Sequence, residues 1–344
     1  ASMPPKLHLP NKNVQPQPAA THSRRTVVCA SEGQFQTQID AADISELLTR
    51  PGTFVWLDLH DPQPDDLQLL RDEFGFHPLS IEDAARHHER PKLEAFDTYY
   101  FMVFYALHYM RDEQQLLSQA LGLFIGANYL VSVHPGPIAT IDETIARWQN
   151  HTAEFGNDSG ALLYALLDAI VDDYFPVIDE LAERVEDIEQ QIFEHFREEA
   201  LQEVFSLKRD LLAVRRVVAP ERDVLNVLIR REVPIFERNT ILYLQDVYDH
   251  IVRITDSIDT YRDLLSSALD AFLSLQSNQL NQVVKVLTIA SIILMCNALV
   301  AGIYGMNFEF MPELHWRLGY PWALALMVGI SLGLLWFFRR RRWL

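Results

Sequence analysis

Two apolar runs near the end of the chain decide the fold. Residues 286–304 have the sequence VLTIASIILMCNALVAGIY, and residues 322–338 have the sequence WALALMVGISLGLLWFF. A helix needs about 20 mostly apolar residues to cross the hydrocarbon core of a bilayer. Both runs are near that length, and neither contains a charged side chain. The sequence therefore predicts a membrane protein in which a large soluble part precedes two transmembrane helices.

These runs divide the chain into segments with different expected structures. In order, we predict a disordered N-terminus (1–22), a cytoplasmic α/β domain (23–160), a cytoplasmic acidic helical hairpin (161–233), a stalk helix continuous with the first transmembrane helix (234–304), an external loop (305–319), a second transmembrane helix (320–338) and a basic cytoplasmic tail (339–344).

The charge is distributed unevenly along the chain. The whole chain has a net charge of −18, but residues 285–344 contain six basic and two acidic side chains, which leaves −22 on residues 1–284. A soluble part this acidic will not bind nucleic acid by neutralising phosphates. Its field can concentrate cations, although a solvated acidic surface that keeps the protein soluble is the simpler explanation.

Basic residues beside the two apolar runs predict the orientation. Lys285 precedes the first run, and Arg339–Arg342 follow the second. Basic flanks stay on the cytoplasmic side, so we expect a multi-pass protein of the cell inner (plasma) membrane with both termini in the cytoplasm. We expect no signal peptide. Cys29 and Cys296 lie in different parts of the chain, so no disulfide or thiolate metal site is expected.

The chain changes from mixed α/β to helical character near residue 160. Before it, strands are predicted at 54–59, 99–108, 116–125 and 129–134, with helices at 65–74 and 137–148. After it, we predict one helix over 161–193 with an irregularity at Pro176, and a second over 198–218 that ends near Pro220.

A third helix is predicted to be much longer, because no Pro or Gly lies between Pro234 and Gly302. At 1.5 Å per residue such a helix extends roughly 100 Å. A lone helix of this length needs lateral partners, which predicts a parallel bundle of subunits around a symmetry axis.

The residues that end the first apolar run resemble a known family. Gly305-Met306-Asn307, followed by the sequence FEFMPEL (308–314), is similar to the CorA family of divalent-cation channels, the Gly-Met-Asn superfamily. Further blocks resemble that family in the same order, and the resemblance extends from about residue 55 to the last residue. These blocks are residues 81–83, 90–94, 243–250, 286–289, 301–304, 319–321 and 341–344.

The resemblance implies a membrane channel and not an enzyme. It implies a funnel-shaped homopentamer in the lipid bilayer, with the first transmembrane helix lining the pore. It also implies passive uptake of Mg²⁺, with Co²⁺ and Ni²⁺ as accompanying ions. Cytoplasmic Mg²⁺ is expected to bind between subunits and hold the pore closed.

The family motif supplies the predicted selectivity filter, Gly305, Met306 and Asn307. Mg²⁺ gives up its waters reluctantly, and a fivefold ring of Asn307 amides can accept hydrogen bonds from the hydrated ion. Gly305 lets the backbone leave the helix and approach the axis. A role for Asn307 as a helix C-cap is compatible with this interpretation.

Heptad spacing predicts which side chains line the pore below the filter. An amide ring near the inner mouth and an apolar constriction that gates by dewetting are both expected there, although ordinary helix packing explains any single position equally well. The predicted pore-lining and gate residues are Asn281, Val284, Leu287, Thr288, Ser291, Met295 and Gly302, with Ala298 beside them.

One short block departs from the family pattern. Met295-Cys296-Asn297-Ala298 stands where the family commonly has Met-Pro, an apolar residue and Thr. The missing proline should straighten the span, and the missing hydroxyl puts a mid-pore polar contact in doubt. Asn297 is expected to form a contact between helices.

Acidic residues in the soluble part match the family's regulatory metal site. Asp83 and Asp246 correspond to its inter-subunit pair, Glu82 is a further carboxylate, and Asp270 matches an acidic position nearer the pore mouth. Paired carboxylates repel when empty and are drawn together by a divalent ion. Solvated charge on helix faces is the competing explanation.

Three alternatives compete with a magnesium channel. A Zn²⁺ transporter of the same superfamily, coupled to protons, would prefer nitrogen and sulfur ligands. The histidines show no ligand spacing in the pore stripe, and the external Glu309 and Glu313 resemble the magnesium branch. A membrane-anchored sensor that conducts nothing is opposed by the polar pore positions. No nucleophile with a base and no phosphate loop points to an enzyme.

Overall fold

The computed structural model describes most of the chain as two compact units. The described residues are 24–31, 34–37, 39–40, 43–86, 89–110, 115–150, 158–194, 198–230, 235–236, 238–306, 311, 316–341 and 343. The first unit contains the described residues up to Ile188 together with Gln202–Leu265, and the second contains Glu189–Leu201 and Ser266–Leu344.

A mixed sheet forms the centre of the first unit. In the described part of the chain its order is β2-β1-β3-β7-β6-β5-β4, and β3 with β7 is its parallel pair while the other neighbours are antiparallel. The strands are β1 Arg24–Ser31, β2 Gln34–Gln36, β3 Thr53–His60, β4 Lys92–Ala95, β5 Tyr100–Met110, β6 Gln115–Ile125 and β7 Tyr129–His134. The four predicted strands are confirmed.

Helices cover both faces of this sheet. They are α1 Ile44–Leu48, α2 Pro64–Asp72, α3 Pro78–Arg86 and α4 Ala139–Asn150. Alternate residues of a strand point to opposite faces, so Trp56 packs against Trp148 of α4, while Leu57 belongs to a core that also contains Phe76 and Phe124. Burial on both faces explains why β3 is apolar almost throughout.

The helical part of the first unit differs from two of the predictions. The single helix expected over 161–193 is two helices, α5 Ser159–Asp172 and α6 Tyr174–Glu194. The break at Asp173 places Pro176 in the first turn of α6, where a missing N–H costs no helical hydrogen bond. Pro176 thus lies at the start of a helix. The apolar periodicity continues across the break at Asp173, so the sequence pattern does not reveal that break.

The next helix continues through the proline that was expected to end it. Helix α7 extends from Glu198 to Arg230 with Pro220 inside. Proline in a helix interior removes one backbone hydrogen bond and costs about 3 kcal/mol. Here the packing of buried apolar side chains before and after Pro220 outweighs the cost of the lost hydrogen bond. These side chains are Val214, Val217, Val218, Val224, Leu225 and Leu228.

Glu221, next to Pro220, is completely buried between α7, α6 and β5. Its Oε1 accepts the backbone N–H of Tyr105 at 2.9 Å. The hydroxyl of Tyr174 lies 2.5 Å from the carbonyl oxygen of Tyr105. Both carboxyl oxygens of Glu221 lie 3.1 Å from that hydroxyl. Burial raises the pKa of Glu221 well above its usual value.

The second unit contains the two apolar helices. Helix α8, Arg238–Tyr304, begins in the first unit and ends in the second, which confirms one helix through stalk and span; α9 is Gly319–Arg340. Both are long and apolar enough to cross a membrane.

The amide Nδ2 of Asn297 donates to the hydroxyl of Ser331 on α9 at 2.9 Å, while its Oδ1 is buried and has no partner in the described residues. The predicted inter-helix contact is confirmed.

The raised pKa of Glu221 predicts how stability changes with pH. The folded-state pKa lies above the unfolded value of about 4.3, so the native chain binds this proton more tightly. Stability is complete below the unfolded pKa and decreases by up to about 1.4 kcal/mol per pH unit until the folded pKa is reached. We expect Glu221→Gln, which keeps the shape without the charge, to melt increasingly above wild type from pH 5 to pH 8.

The matched variant is Glu221→Leu, which leaves the Tyr105 N–H without a partner. It should be destabilised by about 1–3 kcal/mol at every pH. Parallel melting curves for wild type and Glu221→Gln across this range contradict a protonated Glu221.

A double-mutant cycle tests the bond between α8 and α9. We expect Asn297→Ala and Ser331→Ala to be coupled by about 0.6 kcal/mol, and at most about 1.7, in thermal unfolding of the detergent-solubilised protein. Ser291→Ala with Asn297→Ala serves as the control cycle, because the Ser291 hydroxyl bonds to the Leu287 carbonyl of its own helix. Strict additivity of the first pair argues against the contact.

Candidate metal site and pore segment

Three potential metal ligands meet between α5 and α8 in the first unit. Asp168 and Asp172 lie one turn apart on α5, and His250 projects from α8. One ligand atom from each lies within 4.8 Å of the other two. Two carboxylates and an imidazole in this arrangement can hold a divalent cation.

The electrostatics of this cluster favour an added positive charge. Asp168 is half-buried, and burial is the main cause that raises the pKa of its carboxyl group. The charges of Asp172 and Asp246 raise the pKa further, while His250 lowers it. Nδ1 of His250 is 3.5 Å from Oδ1 of Asp172. Arg147 also lowers the pKa of Asp168, but burial and the two neighbouring carboxylates outweigh both positive influences.

Contacts nearer the start of the two helices hold them in register. The side chain of Asp158 caps α5 by accepting the backbone N–H groups of Gly160 and Ala161, and the hydroxyl of Thr240 lies 3.4 Å from its Oδ2. One turn further, Tyr164 stacks on Tyr243 with ring centroids 5.0 Å apart. The ligand cluster follows these contacts along the same pair of helices, so they help to position it.

The predicted regulatory residue Asp83 already has a cationic partner. It is half-buried on α3, and Nζ of Lys92 lies 2.6 Å from its carboxylate and 2.9 Å from that of Glu94. Burial lowers the pKa of Lys92, but the hydrogen bonds to Asp83 and Glu94 outweigh burial and raise it. Glu82 pairs with Arg86 on the solvent side of the helix. A metal ion at Asp83 must therefore compete with an ammonium group.

The two residues predicted as a metal pair have different neighbours within one chain. Asp83 pairs with Lys92, whereas Asp246 is exposed on α8 and contributes to the field at Asp168. Asp270 is exposed on α8 in the second unit. The expected pairing is between subunits, so it stays a prediction.

The predicted pore stripe lies along the membrane segment of α8. Thr288 is half-buried and donates its hydroxyl hydrogen to the Val284 carbonyl at 2.7 Å, as Ser291 does to Leu287 at 2.8 Å. Each hydroxyl thereby satisfies its own hydrogen and keeps a lone pair for a water or hydrated ion. The other predicted positions are exposed in the single chain: Asn281, Val284, Leu287, Ser291, Met295, Ala298 and Gly302.

Helix α8 ends at the predicted filter. The N–H of Gly305 donates to the Ala301 carbonyl at 2.9 Å, and that of Met306 to Ile303 at 3.3 Å. A Cβ at Gly305 would lie 3.1 Å from the Ala301 oxygen, so glycine suits this close approach. Asn307, Glu309 and Glu313 lie outside the described residues.

The sequence prediction missed Asp168 and Asp172. Their spacing of four residues on a predicted helix was a usable signal, and Asp246 and His250 have the same spacing on the stalk. The signal that was absent is the pairing of the two helices, because α5 and α8 are far apart in the chain.

Comparisons with known proteins agree on one family. The family model described as "CorA-like Mg2+ transporter protein" matches residues 51–340. The cobalt/magnesium transport protein CorA of Thermotoga maritima is 38% identical over 281 residues, which are 81% of this chain and 80% of that protein.

Solved structures show the same fold. The CorA magnesium transporter from Methanocaldococcus jannaschii matches with a TM-score of 0.81 at 24% identity, over 93% of this chain and 98% of that one. The cytoplasmic domain of ZntB from Vibrio parahaemolyticus matches with a TM-score of 0.59 at 13% identity, over 74% of this chain and 98% of that one. With its two apolar helices and Gly305-Met306 at the end of α8, this chain belongs to the CorA-like Mg²⁺ transporter family, whose members are transporters and not enzymes.

Proposed function

We propose that this chain forms a homopentameric channel in the cell inner membrane, with both termini in the cytoplasm, that conducts divalent cations. Mg²⁺ is the main ion, and Co²⁺ and Ni²⁺ accompany it. The observation that carries the proposal is the exposed stripe on α8, which ends at Gly305-Met306 in a chain of the CorA-like family. A stripe with polar members along an apolar helix is costly against lipid and useful around a water-filled pore.

Selection takes place at a ring of five Asn307 amides. Mg²⁺ keeps its inner waters, and amide oxygens accept hydrogen bonds from those waters without displacing them. A neutral ring binds the hydrated ion weakly enough for it to leave again, as conduction requires. Glu309 and Glu313 in the external loop raise the local cation concentration at the entrance.

The gate lies deeper, where Val284, Leu287 and Met295 narrow the pore. A narrow apolar stretch excludes water and therefore a hydrated ion. Asn281 provides an amide ring at the inner mouth, and Thr288 and Ser291 offer hydroxyl lone pairs between the apolar positions. Small outward movements of the five helices rehydrate the stretch and open the channel.

Regulation uses the carboxylates of the first unit. Cytoplasmic Mg²⁺ neutralises the repulsion at Asp168, Asp172 and Asp246, and it joins Asp246 to Asp83 of a neighbouring subunit after displacing Lys92. Glu82 and Asp270 are further carboxylates of this system. When the ion leaves, the like charges separate the subunits and the stalk bundle loosens.

Uptake by proteoliposomes tests the filter. With a Mg²⁺-sensitive dye inside and a fixed membrane potential, we expect Asn307→Ala to lower Mg²⁺ entry by about tenfold or more, because each lost amide hydrogen bond is worth about 1 kcal/mol. Gln282→Ala is the matched control: it removes an exposed amide from α8 about 100° around the helix from Asn281. Equal loss in both variants contradicts the filter assignment.

The alternative function is Zn²⁺ transport coupled to protons. One observation favours it: a nitrogen of His250 is among the candidate metal ligands. Zn²⁺ binds nitrogen ligands more readily than Mg²⁺ does. The same vesicles with a Zn²⁺ dye and an imposed pH gradient distinguish the two. Zn²⁺ entry that follows the gradient, without Mg²⁺ entry, replaces the magnesium proposal.

The regulatory cluster is tested by metal-dependent stability. A metal at 100 times its Kd stabilises the folded state by about 2.7 kcal/mol. We expect Asp168→Asn to raise the Mg²⁺ and Co²⁺ concentrations that give half-maximal stabilisation by roughly tenfold, the equivalent of about 1.4 kcal/mol. Asp256→Asn, an exposed carboxylate on α8, is the control. If the two variants shift alike, general surface charge is responsible and the cluster is not a site.

A further inference from the structure

The cytoplasmic end of α9 carries three exposed arginines in defined positions. The N–H of Arg341 bonds to the Phe337 carbonyl at 3.1 Å, and that of Trp343 to the Phe338 carbonyl at 3.0 Å. The Trp343 ring also packs against Phe338 with centroids 5.7 Å apart. The chain therefore folds back on the helix end, and the arginines do not belong to a loose tail.

Two of these guanidinium groups lie over aromatic rings. Cζ of Arg340 is 5.3 Å from the centroid of the Trp336 ring, and Cζ of Arg341 is 5.8 Å from that of Phe337. A ring face attracts the cation but offers no acceptor to match the five N–H donors of the guanidinium group. Within the part of the chain that the structure describes, Arg339, Arg340 and Arg341 form no ion pair with a carboxylate, so their donors remain available.

An apolar groove lies directly beside these donors. It has a volume of about 610 Å³ and is lined by Leu332, Leu335, Trp336 and Arg339. Leu332 and Trp336 are 61% and 63% exposed. The groove thus combines an apolar wall, as long as one or two helical turns, with a guanidinium group at its cytoplasmic end.

We propose that this groove and Arg339–Arg341 bind an anionic phospholipid of the cytoplasmic leaflet. An acyl chain occupies the groove, and the phosphate accepts paired hydrogen bonds from the guanidinium forks, whose planar geometry matches phosphate oxygens. Charge complementarity identifies the occupant, because the cluster is cationic at the depth where anionic headgroups lie. The proposal rests on the membrane insertion of α9 that is part of the proposed function.

Native mass spectrometry of the full chain in detergent tests this without any transport measurement. The protein is mixed with equimolar phosphatidylglycerol and phosphatidylcholine, and the ratio of bound lipids is counted. We expect phosphatidylglycerol to be enriched in wild type. Arg339→Gln with Arg340→Gln should reduce the enrichment by roughly fivefold per arginine, as expected for one basic residue at an anionic surface.

Two matched variants separate the site from general charge and from misfolding. Arg317→Gln removes one exposed arginine from the loop before α9 and should keep the enrichment. Arg339→Lys with Arg340→Lys keeps the charge and should retain part of it. Equal binding of both lipids by wild type overturns the proposal, as does an unchanged ratio in the double Gln variant.

Two further arms examine other occupants. Inorganic phosphate at millimolar concentration should not displace the phospholipid; displacement shows a site for free anions instead. The variant with both Arg339→Gln and Arg340→Gln could instead change subunit association and leave the ratio of bound phosphatidylglycerol to phosphatidylcholine unchanged. That result shows that a second copy of the chain covers the groove, and it also overturns the phospholipid proposal. Because lipid counting needs no ion flux, failure here leaves the channel proposal standing, and the reverse also holds.

Discussion

Hydrocarbon provides no hydrogen-bond partner for a peptide group, and the second unit depends on that constraint. Every backbone N–H and C=O at membrane depth must be satisfied within its own helix. Helix α8 meets this requirement from Arg238 to Tyr304 without interruption, and the chain leaves the helix only at Gly305 and Met306.

The same requirement explains the few polar side chains in the two apolar helices. Thr288 and Ser291 donate to carbonyls of their own helix, and Asn297 donates to Ser331 on α9. The bond from Asn297 to Ser331 thus links the first apolar helix to the second.

Electrostatics rather than packing distinguishes the first unit. Its acidic side chains have three different kinds of surroundings. Asp83 has Lys92 as a partner, whereas the ligand atoms of Asp168, Asp172 and His250 lie within 4.8 Å of one another. The first arrangement is stable without a metal, and the second gains most from one. Glu221 differs from both, since burial raises the pKa of its carboxyl group well above the usual value.

The sequence alone determined the two apolar helices, the continuous α8, four of the sheet's seven strands and the family, because each depends on local periodicity or on a contiguous motif. It could not determine that α7 continues through Pro220, since packing on both sides of the proline compensates for the lost hydrogen bond. Nor could it predict the Asp168 cluster or the burial of Glu221. Those depend on which helix faces lie against each other, and segments such as α5 and α8 meet only after the chain has folded. Tertiary contact sets the local dielectric and the charges nearby, and these decide which carboxylate is solvated, paired, protonated or ready for a metal.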